Sequence, residues 1–373
     1  MSKNVGTKRK ILVLAPSLQS VGGVQNYTTA LFDALQSVLG SRLVRMIAVP
    51  GDPEAQDGRT SALPLTVKLR FFASALAAAI WWSPDLIICA HVGLAPAARL
   101  IQRFRRVPYW VVLYGIEVWG DLPASKLKAL RAAQRYLAIT RFTLDAAVER
   151  HGLERHSSLV LPPTLPKGRS TLPEADSATT NLPAGPMVLT VGRLAASERY
   201  KGHDIMLEAW PVVLRRVPDA VYWIVGGGDD RQRLESLARE LSIADSVHFA
   251  GSVSQDELDA YYDRCCVFAL PSRTELNADT PRGEGFGIVF LEAMAHGKPV
   301  VGPAVGAPAE FIRSGEHGLL VDPIQPNEVA RALIELLEDP VRARRMGNAG
   351  RDWVGHEFAF DRFCERLRGA LQE

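Results

Sequence analysis

Cysteine is scarce in this chain of 373 residues. The four are Cys89, Cys265, Cys266 and Cys364. No C-x-x-C pair occurs, and adjacent Cys265 and Cys266 make no standard metal spacing, which excludes a disulfide scaffold and a zinc finger or ribbon. Three of the four stand in apolar stretches that read as core, so a reducing, cytoplasmic setting is expected. Long hydrophobic runs are also missing. The longest, Phe71 to Trp82, has 12 residues, and a membrane-spanning helix needs about 20. No transmembrane segment is expected, although a buried or interfacial helix stays open. Lys8-Arg9-Lys10 precedes only Ile11–Ala15, a run too short for a signal peptide and better read as a first strand. Disorder and fibrous repeats are excluded by composition, 47% hydrophobic and 23% charged.

Net charge is small, +2, but unevenly spread. Residues 1–165 carry 20 Lys and Arg against 10 Asp and Glu, and residues 166–373 carry 23 against 31. A basic N-terminal half suits phosphates, a membrane surface or nucleic acid, or is simply a solvated face. The length exceeds the roughly 100–200 residues of one domain, so two are expected.

Apolar runs of strand length alternate with helix-like segments through residues 1–165. Strands are predicted at Ile11–Ala15, Arg42–Val49, Asp85–His91, Tyr109–Tyr114, Tyr136–Thr140 and Ser158–Leu161. Residues 166–186 are rich in Pro, Ser, Thr, Gly and Ala and read as a linker. The alternation restarts at Met187–Val191 and continues to 357, with a last helix at Phe358–Leu371. Such alternation implies parallel sheets covered by helices on both faces, and ligands in such sheets bind outside the carboxyl ends of the strands. The fold class expected is therefore α/β, two Rossmann-like doubly wound domains in tandem, with the two sets of strand ends sharing one cleft.

Chemistry-bearing residues gather after those strands. Gly22 and Gly23 follow the first strand and open a helix, where backbone can approach a phosphate closely; a plain tight turn is the alternative. Arg193 follows the strand at Met187–Val191, and Lys201-Gly202 precedes a helix that Asp204 is suited to cap. Gly283 to Glu292 holds two carboxylates, Glu284 and Glu292, around a glycine turn and the first turns of a helix. The amides of Gly285, Phe286, Gly287 and Ile288 could meet phosphate or hydroxyl oxygens there. An unpaired charge among these apolar neighbours would be costly, which favours a ligand over idle surface charge. His296-Gly297 suits a helix end.

These residues in this order resemble the retaining glycosyltransferases of family four, with the GT-B fold. The likeness rests on Gly22-Gly23, Gly192-Arg193 with Lys201-Gly202, the E-x7-E pair Glu284/Glu292, and Glu292-Ala293-Met294-Ala295-His296-Gly297-Lys298-Pro299-Val300-Val301. It covers nearly the whole chain and is strongest over 187–323. The resemblance implies a UDP- or GDP-sugar donor held mostly by a C-terminal domain (187–357), and a glycan acceptor, lipid-linked, held by an N-terminal domain (1–165). It implies a last helix crossing back onto the first domain, and transfer without metal or other cofactor. Arg193 and Lys201 would then carry the charge of the leaving diphosphate, Glu284 would meet hydroxyls of the sugar, and Glu292 would accept ribose hydroxyls. A role in bacterial polysaccharide or glycolipid assembly follows. Alternatives on the same fold are a nucleotide-sugar epimerase and a non-catalytic nucleotide-sugar-binding subunit.

One position departs from the family. Where many members have His before Gly, this chain reads Tyr114-Gly115-Ile116-Glu117. Tyrosine is a poor proton acceptor at neutral pH, so a general base here is in doubt. His91, at another strand end, is a substitute or merely a satisfied histidine; Glu117 could touch either substrate. Basic residues Arg99, Arg103, Arg105 and Arg106, with Lys68, Arg70, Trp81 and Trp82, suit peripheral contact with an anionic membrane face. No RNA- or DNA-binding motif accompanies them, so nucleic acid is not expected.

Overall fold

The computed structural model describes residues 9–19, 22–50, 64–165, 185–276 and 280–372. Of the linker expected at 166–186, only 185 and 186 fall inside this set. The chain divides into two compact units, Met1–Thr164 with Phe360–Glu373, and Leu165–Ala359.

The first unit runs β1 (Ile11–Ala15), α1 (Gly23–Leu39), β2 (Val44–Ala48), α2 (Leu65–Trp81), β3 (Leu86–Cys89), α3 (Ala95–Arg105), β4 (Tyr109–Leu113), α4 (Ile116–Trp119), α5 (Ala124–Arg131), β5 (Arg135–Ala138), α6 (Arg141–His151) and β6 (Ser158–Val160). The strands form one parallel sheet in the order β2-β1-β3-β4-β5-β6. Every residue of β1 is fully buried, as a strand covered on both faces requires. The chain leaves β1 toward one edge and returns to build the other from β3 onward, so the strand order reverses between β1 and β3 while all strands stay parallel.

The second unit runs β7 (Met187–Val191), α7 (His203–Arg216), β8 (Val221–Val225), α8 (Arg231–Glu240), β9 (Val247–Gly251), α9 (Gln255–Arg264), β10 (Val267–Ala269), α10 (Ile288–Ala295), β11 (Val300–Pro303), β12 (Gly318–Val321), α11 (Pro326–Glu338) and α12 (Pro340–Glu357). Its parallel order is β12-β11-β10-β7-β8-β9, with the reversal between β7 and β10. The last helix, α13 (Phe360–Gln372), belongs to the first unit. Phe363, Leu367 and Leu371, at helical spacing, are buried there, with α13 against α1 and the Phe363 ring edge-on to Tyr27 at 5.8 Å.

The elements differ from sequence expectation in three places. The sequence pattern predicts a helix over Val341–Gly350, and α12 runs on to Glu357. Its glycines are there for close approach: a Cβ on Gly347 would lie 1.9 Å from the Gly297 carbonyl oxygen. Ile116–Trp119 forms a short helix that no periodicity announces. Ala196–Lys201 winds into 3-10 turns before α7, so Lys201 ends one helical segment as well as preceding another.

Candidate functional site

In the second unit the predicted residues gather at the carboxyl ends of β7 and β10, the two strands flanking the reversal. Open parallel sheets leave a crevice at that point, because the connections from neighbouring strands depart to opposite sides. Arg193 stands two positions beyond β7. Lys201 ends the 3-10 segment, and Glu284 lies in the loop between β10 and α10. Lys201 Nζ donates to Glu284 Oε1, and both side chains are nearly buried, 12% and 14% exposed. Gly202 allows this placement. Its backbone is left-handed (φ +79°), and a Cβ would lie 2.3 Å from the Pro271 carbonyl oxygen.

Glu198 joins the pair. Its Oε1 accepts from Arg193 Nη2, and its Oε2 is 3.8 Å from Lys201 Nζ. Two cations thus face two carboxylates, while the Arg193 side chain stays 68% exposed and able to meet a ligand. Glu198 was not singled out from sequence. The available signal was its i, i+3 spacing to Lys201, which matters only once 196–201 is known to be helical. Arg199, half-exposed, pairs with Asp230 at 2.7 Å.

Asp204 does not cap α7. Gly202 holds the cap position, and Asp204, the helix's second residue, faces Arg273 at 3.4 Å. His203, 5% exposed, has its pKa pushed down to about 4, first by burial and then by Lys201. Burial disfavours the charged imidazolium, and a neighbouring cation adds to the effect.

Gly287 caps α10, and Glu292 lies one turn and a half inside the helix. Glu292 Oε2 accepts from the hydroxyl of Tyr262 at 3.0 Å. Tyr262 is buried, and burial with the adjacent Glu292 charge pushes its pKa well up, so it stays a donor. His296 stacks on Tyr262 at 5.2 Å and bonds Asp263 at 2.6 Å. It also closes α10, as its pairing with Gly297 suggests. The Phe286 ring is stacked on Phe311 at 4.6 Å and is 6% exposed, which leaves its backbone rather than its ring for any ligand. Tyr262 was missed because an aromatic at helical spacing reads as core.

In the first unit Gly22 and Gly23 open α1 after β1, and His91 and Tyr114 follow β3 and β4. A Cβ on Gly23 would meet nothing within 4 Å. Tyr114 lies between α1 and His91: its hydroxyl is 3.3 Å from Thr28 Oγ1, and its ring stacks on His91 at 6.3 Å. Burial pushes its pKa far up, so Tyr114 is a neutral hydroxyl at physiological pH. His91 Nδ1 accepts from the Gly93 amide at 3.0 Å, and burial, then Lys126, pushes its pKa down to about 4. Glu117 Oε1 accepts from the Tyr114 amide at 2.6 Å. That carboxylate caps the turn from β4 into α4, and burial raises its pKa.

Comparison with known proteins bears on the family and the fold. Residues 174–353 match the family model described as glycosyl transferases group 1. A GDP-mannose-dependent alpha-(1-6)-phosphatidylinositol monomannoside mannosyltransferase of Mycobacterium tuberculosis is 40% identical over 188 residues, 50% of this chain and 47% of that protein. The chain therefore matches about half the length of that relative. A GDP-mannose-dependent monoacylated alpha-(1-6)-phosphatidylinositol monomannoside mannosyltransferase of Corynebacterium glutamicum is 32% identical over 277 residues, 69% of this chain and 68% of that protein. Among solved structures, Anabaena HepE in complex with UDP superposes with a TM-score of 0.76 at 18% identity, covering 97% of this chain and 99% of that one. That likeness concerns the fold, GT-B. With sequence, family model and fold in agreement, the chain belongs to the group 1 glycosyl transferases.

Proposed function

We propose that the chain transfers a hexosyl group from a nucleoside-diphosphate sugar, held by the second unit, to a hydroxyl of a glycolipid acceptor held by the first. Transfer retains the anomeric configuration and needs no metal ion. The observation that carries this reading is the Lys201–Glu284 pair with Arg193 beside it, at the ends of the strands that flank the reversal. As the glycosidic bond lengthens, negative charge grows on the departing diphosphate. Fixed cations stabilise that charge most where the site has excluded water. Arg193 grips phosphate oxygens through its planar fork and Lys201 acts as a point charge. Glu284 accepts from a sugar hydroxyl, and Glu292, steadied by Tyr262, accepts from the ribose.

The acceptor proton passes to the leaving phosphate oxygen on the same face of the sugar. The residues of the first unit support this route. Tyr114 is held neutral by burial, the Glu117 carboxylate is engaged by backbone amides, and His91 Nδ1 is engaged by Gly93. The names of the relatives make GDP-mannose the first donor to try and a phosphatidylinositol mannoside the first acceptor, with UDP-sugars next. An assay with GDP-mannose, UDP-glucose and this acceptor, run with and without chelator, checks the reading. Product with the donor's anomeric configuration, formed equally with chelator, supports it. Release of a free epimerised sugar from donor alone would replace it.

A further inference from the structure

Within the candidate site the formal charges balance. Arg193 and Lys201 face Glu198 and Glu284. The cations next to them are matched as well, Arg199 and Arg233 by Asp230 and Arg273 by Asp204. A diphosphate brought to Arg193 and Lys201 adds negative charge beside two carboxylates, and like charges set together in a nearly buried place repel strongly. For both cations to turn to phosphate oxygens, a carboxylate must give way.

Glu198 is the less committed of the two. Glu284 bonds Lys201 directly and, in the proposed transfer, meets the sugar. Glu198 Oε1 accepts from Arg193 Nη2, but its Oε2 lies 3.8 Å from Lys201 Nζ, buried and accepting no hydrogen bond among the described residues. A buried carboxylate that serves structure alone has both oxygens satisfied. Nor do the turns around Glu198 hang on it. Asp229 Oδ1 accepts from the Ala196 amide at 2.8 Å, Asp230 Oδ1 from Arg199 Nη2 at 2.7 Å, and the Tyr200 carbonyl from the Arg273 amide at 2.6 Å. The segment is held on both sides of Glu198, which itself leaves helical dihedrals (φ −117°, ψ 26°).

We infer that Glu198 is an internal competitor of the donor diphosphate. Its carboxylate holds Arg193 and flanks Lys201, yields them to phosphate oxygens as the nucleotide enters, and reclaims them as the nucleoside diphosphate leaves. Glu198 is thus a positioning residue that acts through the two cations. This role rests on the phosphate contacts proposed for Arg193 and Lys201.

The test is calorimetric titration of the full chain, and of its Glu198→Gln and Glu198→Ser variants, with GDP, UDP, guanosine and uridine. Glutamine keeps the shape and an oxygen for Arg193 but loses the charge; serine removes the carboxylate altogether. Both variants should bind the diphosphate that the parent prefers about tenfold more tightly. They should release it more slowly in stopped-flow displacement, with no gain toward the nucleoside. If Glu198 only fixed the segment, both variants would bind more weakly. A parent that binds neither diphosphate would remove the transfer reading and this inference together. A parent that binds one, with variants that bind it equally or more weakly, would overturn this inference alone. So would equal tightening toward the nucleoside.

Discussion

In the proposed transfer Lys201 answers two requirements that pull in opposite directions. It must be fixed well enough to stabilise charge, yet its partners Glu198 and Glu284 must leave room for a phosphate. Its near burial makes the pair sensitive to single changes, because removing one member leaves an uncompensated charge in poor solvent. Lys201→Ala and Glu284→Ala are each expected to lower kcat by about 10²–10³-fold, with a folded far-ultraviolet spectrum retained. Near-normal turnover in either would remove that residue from the site. Tyr262→Phe deletes one hydroxyl donor to Glu292 and nothing from the reacting centre. It should raise KM for the donor with little change in kcat, by about tenfold for a hydrogen bond to a charged group; steady-state kinetics decide it. At this scale most of the candidate site was legible in the sequence. Arg193, Lys201 and Glu284 stand out because charge follows a buried strand or interrupts an apolar run. Glu198 and Tyr262 were not legible, since one depends on an unannounced 3-10 turn and the other looks like any core aromatic.

The segment from β7 to α7 works as a unit: strand, Arg193, 3-10 turns, Lys201, then a glycine that lets α7 start against the Pro271 carbonyl. Gly202→Ala would force a Cβ into that carbonyl at a left-handed φ, so a loss of about 1–3 kcal/mol is expected from chemical denaturation. Buried His203 makes the same segment sensitive to acid. Its pKa is held near 4 in the folded chain and returns toward 6.5 on unfolding. Between those values the unfolded chain binds a proton that the folded one refuses, so stability falls as pH drops through this window. The loss approaches about 3 kcal/mol at the lower end. The fall in urea midpoint from pH 7.5 to 5 should therefore be smaller in His203→Leu than in the parent, with buried His91 supplying part of what remains; an unchanged fall would rule His203 out as a source. Element types were mostly legible because burial alternation is local. The boundaries that slipped were those set by neighbours, as at α12, where glycine serves close packing and not termination.

On the scale of the whole molecule, α13 ties the end of the chain to its beginning. Arg135 and Arg9 donate to the Ala370 and Leu371 carbonyls, and α13 packs on α1 with the Phe363 ring against Tyr27. A chain ending at Ala359 should lose hydrogen-exchange protection in β1 and α1 while the second unit keeps its own. Uniform loss in both units would contradict this division. Donor binding is expected to act on the same global equilibrium. Nucleoside diphosphates that occupy the site raise the thermal midpoint in proportion to RT ln(1 + [L]/Kd). GDP and UDP compared in one titration will rank the base.

By itself the sequence determined the two-unit α/β organisation, the strands buried on both faces, and the charged residues that stand at strand ends. All of these are written in short-range patterns: side-chain period, glycine position, charge beside apolar runs. The tertiary structure alone decided that β7 and β10 are neighbours, which brings Lys201 and Glu284 together across 83 positions of chain. It also decided that Glu198 stands between the cations. Adjacency of that kind comes from the summed packing of many distant residues, and no local window contains it.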